Sequence, residues 1–208
     1  MDKQAEILFE NWRKRNISGM YCKSGALAKA AVLEMIPKEA SVGFSGSKTL
    51  EEVEVITALA ARGNKVFDPY KAGISWEESL KIRKEATLAD YYLASANAIS
   101  QNGEMVFFSG YGNRTSGVAY AKNVIIVCGI NKITANIQEA MTRAREFATP
   151  LNCKRLGWES ACLKDGRCHD EICKFPEYKR MCCQILIIEA EVSPGRLRVI
   201  LVGENLGY

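Results

Sequence analysis

Apolar residues recur along the chain with two alternating periods, which predicts helices interleaved with short strands. Residues 2–15 have apolar positions at helical spacing between lysines and arginines, typical of an amphipathic helix packed on a domain. Those positions are Ala5, Leu8, Phe9 and Trp12. A second helix is predicted to begin at its cap Ser24 and to stop before Pro37. Further along, Thr134 is the expected cap of a helix that Pro150 ends.

Short apolar runs predict the strands. They lie at residues 41–45, 65–68, 91–94, 105–108, 124–127, 185–189 and 197–202. We expect the last two strands to pair antiparallel through a turn at Pro194 and Gly195. Helices separate the earlier runs, and Ser75 with Glu78 has the spacing of a capping box for one of them. This alternation predicts an α/β fold with a mostly parallel central sheet flanked by helices.

The stretch from residue 94 to residue 132 contains the densest pattern of turns. A polar turn leads into the 105–108 run, and a glycine-rich loop follows at residues 109–114, S-G-Y-G-N-R. Backbone N–H groups at a junction of strand, loop and helix favour an anion, and Arg114 adds a fork of donors for a carboxylate or phosphate. The alternative is that Arg114 forms a surface ion pair. The expected ligand-binding residues of this stretch are Asn97, Gly110, Gly112, Asn113, Arg114 and Asn131.

A second candidate loop, S-G-S-K-T at residues 45–49, lies between a predicted strand and a predicted helix. Hydroxyls, backbone N–H groups and the helix dipole converge at such a point, which suits a phosphate or a carboxylate. The loop lacks the G-K-[ST] ending of a nucleotide-hydrolysing P-loop. The expected ligand-binding residues here are Ser45, Gly46, Ser47 and Thr49. The alternative is that Ser47 and Thr49 only cap the helix, since Thr49 and Glu52 are spaced as a capping box.

Both loops follow strands, so we expect them to face one cleft. Four ionisable residues near the loops are candidate catalytic groups: Glu51, Glu104, Arg114 and Lys132. Lys132 follows a buried strand at the carboxyl edge of the predicted sheet, where ligands usually bind in open α/β folds. Each candidate has a simpler alternative. A solvated turn accounts for Glu104, and a solvent-exposed lysine beside a helix accounts for Lys132.

The composition fits a globular chain. Of its 208 residues, 48% are apolar and 25% are charged, which is enough to bury a sizeable core. The net charge of +4 allows acidic small molecules as ligands but does not indicate nucleic acid. The first residues are polar and charged, without the apolar centre of a signal peptide, and the longest apolar run is too short to cross a bilayer. We expect a cytoplasmic protein with no nucleic-acid or membrane partner.

Six of the eight cysteines lie between residues 153 and 183. In a reducing compartment such thiols bind metal, act in catalysis or are simply buried. The predicted metal ligands are Cys162, Cys168, Cys173 and Cys182, with Cys183 as the alternate. Their spacing matches neither a zinc ribbon nor a ferredoxin, so zinc and an iron–sulfur cluster, with three or four thiolates, both stay open. The alternative is a set of reduced thiols in a covering loop, and we expect Cys153 to serve packing.

Several motifs together resemble one family. They are V-G-F-S-G-S-K-T-L-E-E at 42–52, N-A-I-S-Q-N-G-E at 97–104, G-Y-G-N-R at 110–114, V-I-I-V-C-G-I-N-K-I at 124–133, A-T-P-L-N-C-K-R-L-G at 148–157 and V-G-E-N-L-G-Y at 202–208. This combination resembles the LUD-domain family, the lactate-utilisation protein C-like proteins. The resemblance implies a fold similar to NagB, RpiA and the CoA-transferases. It also implies a single LUD-like domain over residues 1–208, with N-terminal helices to about residue 40 and the 153–183 segment inserted before the last strands.

The resemblance also implies a function in organic-acid metabolism of the lactate type. Sugar-isomerase relatives of this fold hold the substrate's anionic group on a turn similar to residues 45–49, and CoA-transferase relatives use a catalytic carboxylate. Lactate-utilisation systems contain several subunits with iron–sulfur centres. The resemblance therefore favours a 4Fe-4S cluster over zinc, a small anionic ligand, and an iron–sulfur partner subunit or a homo-oligomer. The alternative is a non-catalytic binding or sensor module, because catalysis requires an ionisable group within reach of the bound anion.

Overall fold

The computed structural model describes residues 3–208, and its strands form two sheets. The strands of the larger sheet are β1 (Ser18–Cys22), β2 (Val42–Phe44), β3 (Val66–Phe67), β4 (Tyr91–Ala94), β7 (Val124–Gly129) and β10 (Leu197–Val202). Those of the smaller sheet are β5 (Ala98–Ser100), β6 (Met105–Ser109), β8 (Ile133–Thr134) and β9 (Gln184–Ile188). The larger sheet has the order β1-β10-β7-β4-β2-β3, and every neighbouring pair is parallel. The predicted parallel α/β fold is confirmed.

Helices lie on both faces of the six-stranded sheet. They are α1 (Lys3–Lys14), α2 (Gly25–Met35), α3 (Lys48–Glu52), α4 (Val55–Ala61), α5 (Trp76–Ala86), α6 (Asn113–Tyr120), α7 (Ile137–Thr142) and α8 (Thr149–Leu156). The central strand β7 shows the two-sided burial, because its successive side chains point to opposite faces. Ile126 and Cys128 pack in the core that α1 and α6 cover, while Ile125 and Val127 pack in the core that α2, α3 and α4 cover.

The smaller sheet, in the order β8-β5-β6-β9, packs against the first of these cores. Met105 and Phe107 of β6 join the core beneath α1, and Val106 and Phe108 face α7 on the other side. Strand β6 is antiparallel to both β5 and β9. Strand β6 ends at Ser109, and the glycine-rich loop follows it. This loop lies at the edge of the larger sheet, where α6 begins.

Several elements begin and end as the sequence predicts. The apolar stripe of α1 is buried, and the Trp12 indole Nε1 donates to the Gly103 carbonyl at 3.0 Å. Ser24 caps α2, which ends at Met35, before the proline. Ser75 caps α5 by accepting a hydrogen bond from the Glu78 N–H at 3.1 Å. Local side-chain chemistry therefore sets the limits of these helices.

The capping box predicted at Thr49 and Glu52 is wrong. Ser47 is the cap of α3, with its hydroxyl accepting from the Leu50 N–H at 3.3 Å. Glu52 instead accepts from the Gly207 N–H at 2.7 Å, which ties the last residues of the chain to α3. The predicted single helix is also interrupted, because Glu54 has a φ of 57° and separates α3 from α4.

The predicted antiparallel pairing of the last two strands is also wrong. Strand β10 lies between β1 and β7 in the parallel sheet, whereas β9 pairs with β6 at the edge of the smaller sheet. Their burial explains the difference. Five of the six residues of β10 are buried, as befits a central strand, while β9 has three exposed residues and none that is fully buried.

Pro150 does not end a helix, contrary to the prediction. The cap is Asn136 rather than Thr134, and a π-helical turn (Arg143–Ala148) connects α7 to α8 without a break in the helical path. Pro150 lies directly after the π-helical turn, and the helix continues through it into α8. None of the helices described over residues 3–208 has both the length and the apolar content needed to cross a membrane.

Candidate functional site

The candidate site lies at the carboxyl ends of three neighbouring parallel strands. The chain leaves β2 at Phe44, β4 at Ala94 and β7 at Gly129, and these strands are adjacent in the order β7-β4-β2. The three segments that follow therefore meet at one edge of the sheet. Open α/β sheets bind their ligands at this edge, because the loops there leave a crevice between the strands and the helices.

Both loops singled out from the sequence line one cleft at this edge, as predicted. The cleft has a volume of about 560 Å³. Its lining includes Ser45, Gly46, Ser47, Gly110, Asn113 and Arg114. Gly112 lies outside the cleft lining and has a φ of 83°, and a Cβ atom there would meet the Gln184 side chain at 2.6 Å. Glycine is thus required at position 112 by the start of α6.

Arg114 joins the two loops across the cleft. Its Nε donates to the Ser45 hydroxyl at 3.3 Å, and its Nη2 donates to the Gly46 carbonyl. Its Nη1 donates to the Asn97 Oδ1 at 3.2 Å and to the Phe108 carbonyl at 3.1 Å. All four acceptors are uncharged, and one Nη2 hydrogen is left for a ligand. Burial lowers the pKa of the Arg114 guanidinium from its ordinary value.

Lys132 is almost fully buried, with 4% of its surface exposed. Its Nζ donates to the Thr49 hydroxyl at 2.8 Å, the Ser95 hydroxyl at 2.8 Å and the Ala96 carbonyl at 3.2 Å. These are again neutral acceptors. Burial lowers the pKa of Lys132 to about 8, because the ammonium loses its hydration, and the positive charges of Arg143 and Arg114 also lower it. Lys132 is therefore not a solvent-exposed lysine beside a helix, which was the simpler alternative for this residue.

The positive charges of Arg114 and Lys132 are unpaired within the part of the chain that the structure describes. No carboxylate of residues 3–208 forms an ion pair with either side chain. Both residues line an annex of about 30 Å³, and four residues of that annex also line the cleft. The annex has room for about two water-sized groups, such as the two oxygens of a carboxylate. A small opening between two unpaired cations is suited to an anion.

The two carboxylates proposed as catalytic candidates lie away from the annex. Glu51 is on the rim of the cleft, more than half exposed, and pairs with Lys48 at 2.8 Å. Glu104 lies behind the smaller sheet and pairs with Arg15 at 2.9 Å. Of the four candidates, Arg114 and Lys132 reach the annex, and since a guanidinium stays protonated in proteins, the group that can transfer a proton there is that of Lys132. Any proton transfer next to a bound anion would therefore involve its amine.

The asparagines of the site hold the loops in place. Asn97 Oδ1 accepts from the Phe108 N–H at 2.9 Å as well as from Arg114. Asn131 Oδ1 accepts from the Leu206 N–H at 3.1 Å, so its side chain fastens the end of the chain. Arg143, from the π-helical turn, donates to the main-chain carbonyls of both asparagines. Sequence patterns did not identify Arg143, because its contacts are to carbonyls far away along the chain.

A group of aromatic residues that the sequence analysis did not single out forms one side of the cleft. We refer to Tyr70, Trp76, Tyr111 and Trp158 as the aromatic wall. Arg83 lies over the rings of Tyr70 and Trp76, at 4.6 Å and 5.8 Å from their centroids. These residues come from three separate parts of the chain. Their convergence has no local sequence signal beyond the aromatic residues themselves.

Five cysteines line a separate small cavity of about 20 Å³ beside α8. They are Cys153, Cys162, Cys168, Cys173 and Cys182. Cys183 lies outside this lining, with its thiol donating to the Arg180 carbonyl at 2.9 Å. Cys153, expected to serve packing, is fully buried and lines the same cavity as the four predicted ligands. Met181 lines both this cavity and the cleft, so the two sites are neighbours.

The thiols around this cavity do not converge on a single ion position. Among residues 3–208 no three His, Cys, Asp or Glu side chains converge on one ion position, which a zinc site with three or four protein ligands requires. A 4Fe-4S cluster binds one thiolate at each iron, so its ligands surround a volume instead of a point. Burial raises the pKa of Cys153 to about 12, and burial also raises the pKa of Cys168. Without a bound cation these groups are therefore thiols.

One comparison with known proteins shows the family of this chain, and another shows its fold. The family model described as LUD domain matches residues 5–202. The chain is similar to a crystal structure of a DUF162 family protein from Deinococcus radiodurans, with 13% identity, a TM-score of 0.55, and coverage of 98% of this chain and 100% of that one. At this identity the likeness concerns the fold. None of the curated proteins matches the chain. Because the family model spans nearly the whole sequence, the chain belongs to the LUD-domain family.

Proposed function

We propose that the protein binds a small organic acid in the cleft, with the carboxylate in the annex between Arg114 and Lys132. The observation that carries this proposal is the pair of cations without an ion-pair partner at one small opening, where Lys132 is buried and Arg114 is half-buried. A buried charge without a partner costs several kcal/mol, and an anion between the two side chains offsets that cost. The family's association with lactate utilisation favours an acid of the lactate type.

The hydrogen bonds around the annex indicate how a carboxylate would be held. The free Nη2 hydrogen of Arg114 would bind one oxygen, in a charge-assisted bond. The other oxygen would replace the Ala96 carbonyl, the most distant of the three acceptors of Lys132. The rest of the acid would then extend into the cleft. There Gly46, Ser47 and Asn152 line both spaces.

Lys132 gives the site a group that can exchange protons with a bound acid. Before an acid binds, a pKa of about 8 leaves about a tenth of the amine neutral at pH 7; a bound carboxylate raises this pKa, so the ammonium is the form that faces the acid, as a general acid. The Thr49 and Ser95 hydroxyls fix the position of the amine. On this basis we propose an enzyme, or an enzyme subunit, of organic-acid metabolism. A non-catalytic binding or sensor module is the alternative.

Calorimetric titration with L-lactate and pyruvate tests the binding. The Arg114→Ala variant should lose about 1.5–3 kcal/mol of binding free energy, as expected for a charge-assisted hydrogen bond. Arg13 is exposed on α1, so Arg13→Ala removes the same charge away from the cleft and is the matched control. An affinity that is unchanged in Arg114→Ala would contradict the proposal.

Deuterium exchange into a bound acid in heavy water distinguishes the two alternatives, an enzyme and a non-catalytic binding module. If Lys132 transfers protons at the bound acid, the protein should accelerate deuterium incorporation into the methyl group of pyruvate, as followed by NMR. Lys132→Met should abolish this acceleration. Lys122, whose side chain is 75% exposed, provides the control variant Lys122→Met. Binding without acceleration in the wild-type protein would favour the module.

We propose as a second function that four of Cys153, Cys162, Cys168, Cys173 and Cys182 bind a 4Fe-4S cluster, because their side chains line one cavity. That cavity, at about 20 Å³, is smaller than the eight atoms of a cluster, so the segment would have to open to hold one. Such a cluster supplies one-electron transfer when bound. Arg145 and Arg180, both ion-paired with Asp170, line the same cavity and would offset the negative charge of a thiolate-bound cluster. Zinc is the alternative.

Iron, sulfide and zinc analysis of anaerobically purified protein tests the cluster. The neighbouring cysteines provide a matched pair, because Cys182 lines the cavity and Cys183 does not. Cys182→Ser should lower the iron and sulfide content, whereas Cys183→Ser should leave both unchanged. Equal losses in the two variants, or zinc without sulfide in the wild-type protein, would contradict a cluster at this cavity.

A further inference from the structure

The cleft is larger than a three-carbon acid, and the additional space borders the aromatic wall. A volume of about 560 Å³ falls in the range of pockets that hold much larger ligands. A lactate-sized molecule with its carboxylate in the annex would leave most of this space filled with water. The residues that line this additional space therefore indicate which further chemical groups the ligand has.

The rings of the aromatic wall are exposed inside a concave site. Trp76 is 46% exposed and Tyr111 is 51% exposed, although their ring centroids lie only 5.0 Å apart. Tyr111 in turn contacts Trp158 with the two ring planes at 82°. Aromatic rings in proteins gain free energy from burial and from edge-to-face or offset contacts. A concentration of exposed apolar surface in a concavity is typical of a ligand site.

The charged residues of the cleft add a second preference. The Arg83 Nε hydrogen is buried and has no acceptor among the residues that the structure describes. Among the acidic residues of the lining, Glu51 pairs with Lys48 and Glu54 pairs with Lys29, while Asp68 accepts a hydrogen bond from the Tyr70 N–H at 2.9 Å. The cleft thus presents aromatic faces together with unpaired cations. A ligand with an aromatic ring and an acidic group complements both.

We propose that the ligand of this cleft is an aromatic organic acid, whose ring lies against the aromatic wall while its carboxylate occupies the annex. This inference rests on the proposed function, since it uses the same anion position between Arg114 and Lys132. A neutral aromatic molecule would leave the cations unpaired. A short aliphatic acid would leave Trp76, Tyr111 and Trp158 in contact with water.

L-Lactate and L-3-phenyllactate make a matched pair of probes, because they differ by one phenyl group. Burial of that ring should make phenyllactate bind about 10- to 100-fold more tightly to the wild-type protein in calorimetric titration. In Trp76→Ala and in Tyr111→Ala the ratio should fall to within about threefold, with the affinity for lactate unchanged. Trp76→Phe should restore much of the ratio, which a folding defect would not do.

Tyr120 provides the control for a general effect of removing an aromatic residue. It is 92% exposed, it lies outside the cleft lining, and Tyr120→Ala should keep the full ratio. If lactate binds in an Arg114-dependent way and phenyllactate binds no more tightly, this inference is wrong and the proposed function stands. If phenyllactate binds more tightly but Arg114→Ala binds both acids with the wild-type affinity, the proposed function fails, while the contact between the phenyl ring and the aromatic wall is supported. If neither acid binds, both are overturned.

Discussion

The substitution Lys132→Met should change the pH dependence of stability in a defined direction. Lys132 has a pKa of about 8 in the folded protein against an ordinary value of 10.5, so between these values the unfolded chain binds more protons than the folded one. Stability then rises with pH across this window, because deprotonation removes a buried charge that the fold does not neutralise. Below pH 8 the full cost of that charge is present.

The magnitude follows from the two pKa values. A shift of 2.5 units corresponds to about 3 kcal/mol, of which about 2.5 kcal/mol is recovered between pH 7 and pH 10. Methionine has a similar length and no charge, so the variant lacks this component. Cysteines and tyrosines also titrate in the window, but they are common to both proteins. The difference between wild type and variant therefore isolates Lys132.

Urea denaturation at several values between pH 7 and pH 10 measures the effect. The free energy of unfolding of the wild-type protein, relative to Lys132→Met, should rise by about 2 to 3 kcal/mol across this range. Lys122→Met, which removes an exposed lysine, should follow the wild type. Two parallel curves for wild type and Lys132→Met would refute the conclusion that Lys132 is buried as an unpaired cation.

Three further predictions address the fold and the limits of the site. In chemical denaturation, Gly43→Ala should destabilise the protein by more than about 2 kcal/mol, because the added Cβ would lie 2.0 Å from the Ala86 carbonyl oxygen. Gly25→Ala is the control and should be nearly neutral, because its nearest contact lies at 3.5 Å. Ser47→Ala should cost about 1 kcal/mol of stability, because α3 loses its N-terminal cap. If thermal unfolding shows that the variant is as stable as the wild type, Thr49 is the cap instead of Ser47. Glu104→Gln should leave acid affinity unchanged in calorimetry, because this carboxylate lies behind the smaller sheet; a changed affinity would place it in the site.

Local signals in the sequence predicted the fold class and several element boundaries. The β-branched run at residues 124–127 is the centre of the parallel sheet, and Ser24 and Ser75 cap the helices expected of them. Strand partners were not predictable in the same way. The position of β10 between β1 and β7 depends on contacts with residues at the opposite end of the chain, and no short-range pattern records them.

The site was predictable only in its loops. A glycine-rich turn with an arginine at its exit has a local signature, and Arg114 lines the cleft as expected. The burial of Lys132 has no local signature, because Thr49 of α3 and Ser95, which follows β4, reach its amine from distant parts of the chain. The gathering of Cys153 with four later cysteines, and of Tyr70 with Trp158, likewise results from the folding of distant segments onto one edge.

The central claim is that an acid binds beside the buried amine of Lys132. The most direct measurement is the number of protons taken up when L-lactate binds at pH 8, obtained by calorimetry in buffers of different ionisation enthalpy. A carboxylate next to Lys132 raises the pKa of its ammonium, so the account predicts uptake of about half a proton per bound acid in the wild-type protein and about none in Lys132→Met. Binding with no proton uptake in the wild type, or with equal uptake in both proteins, would contradict it.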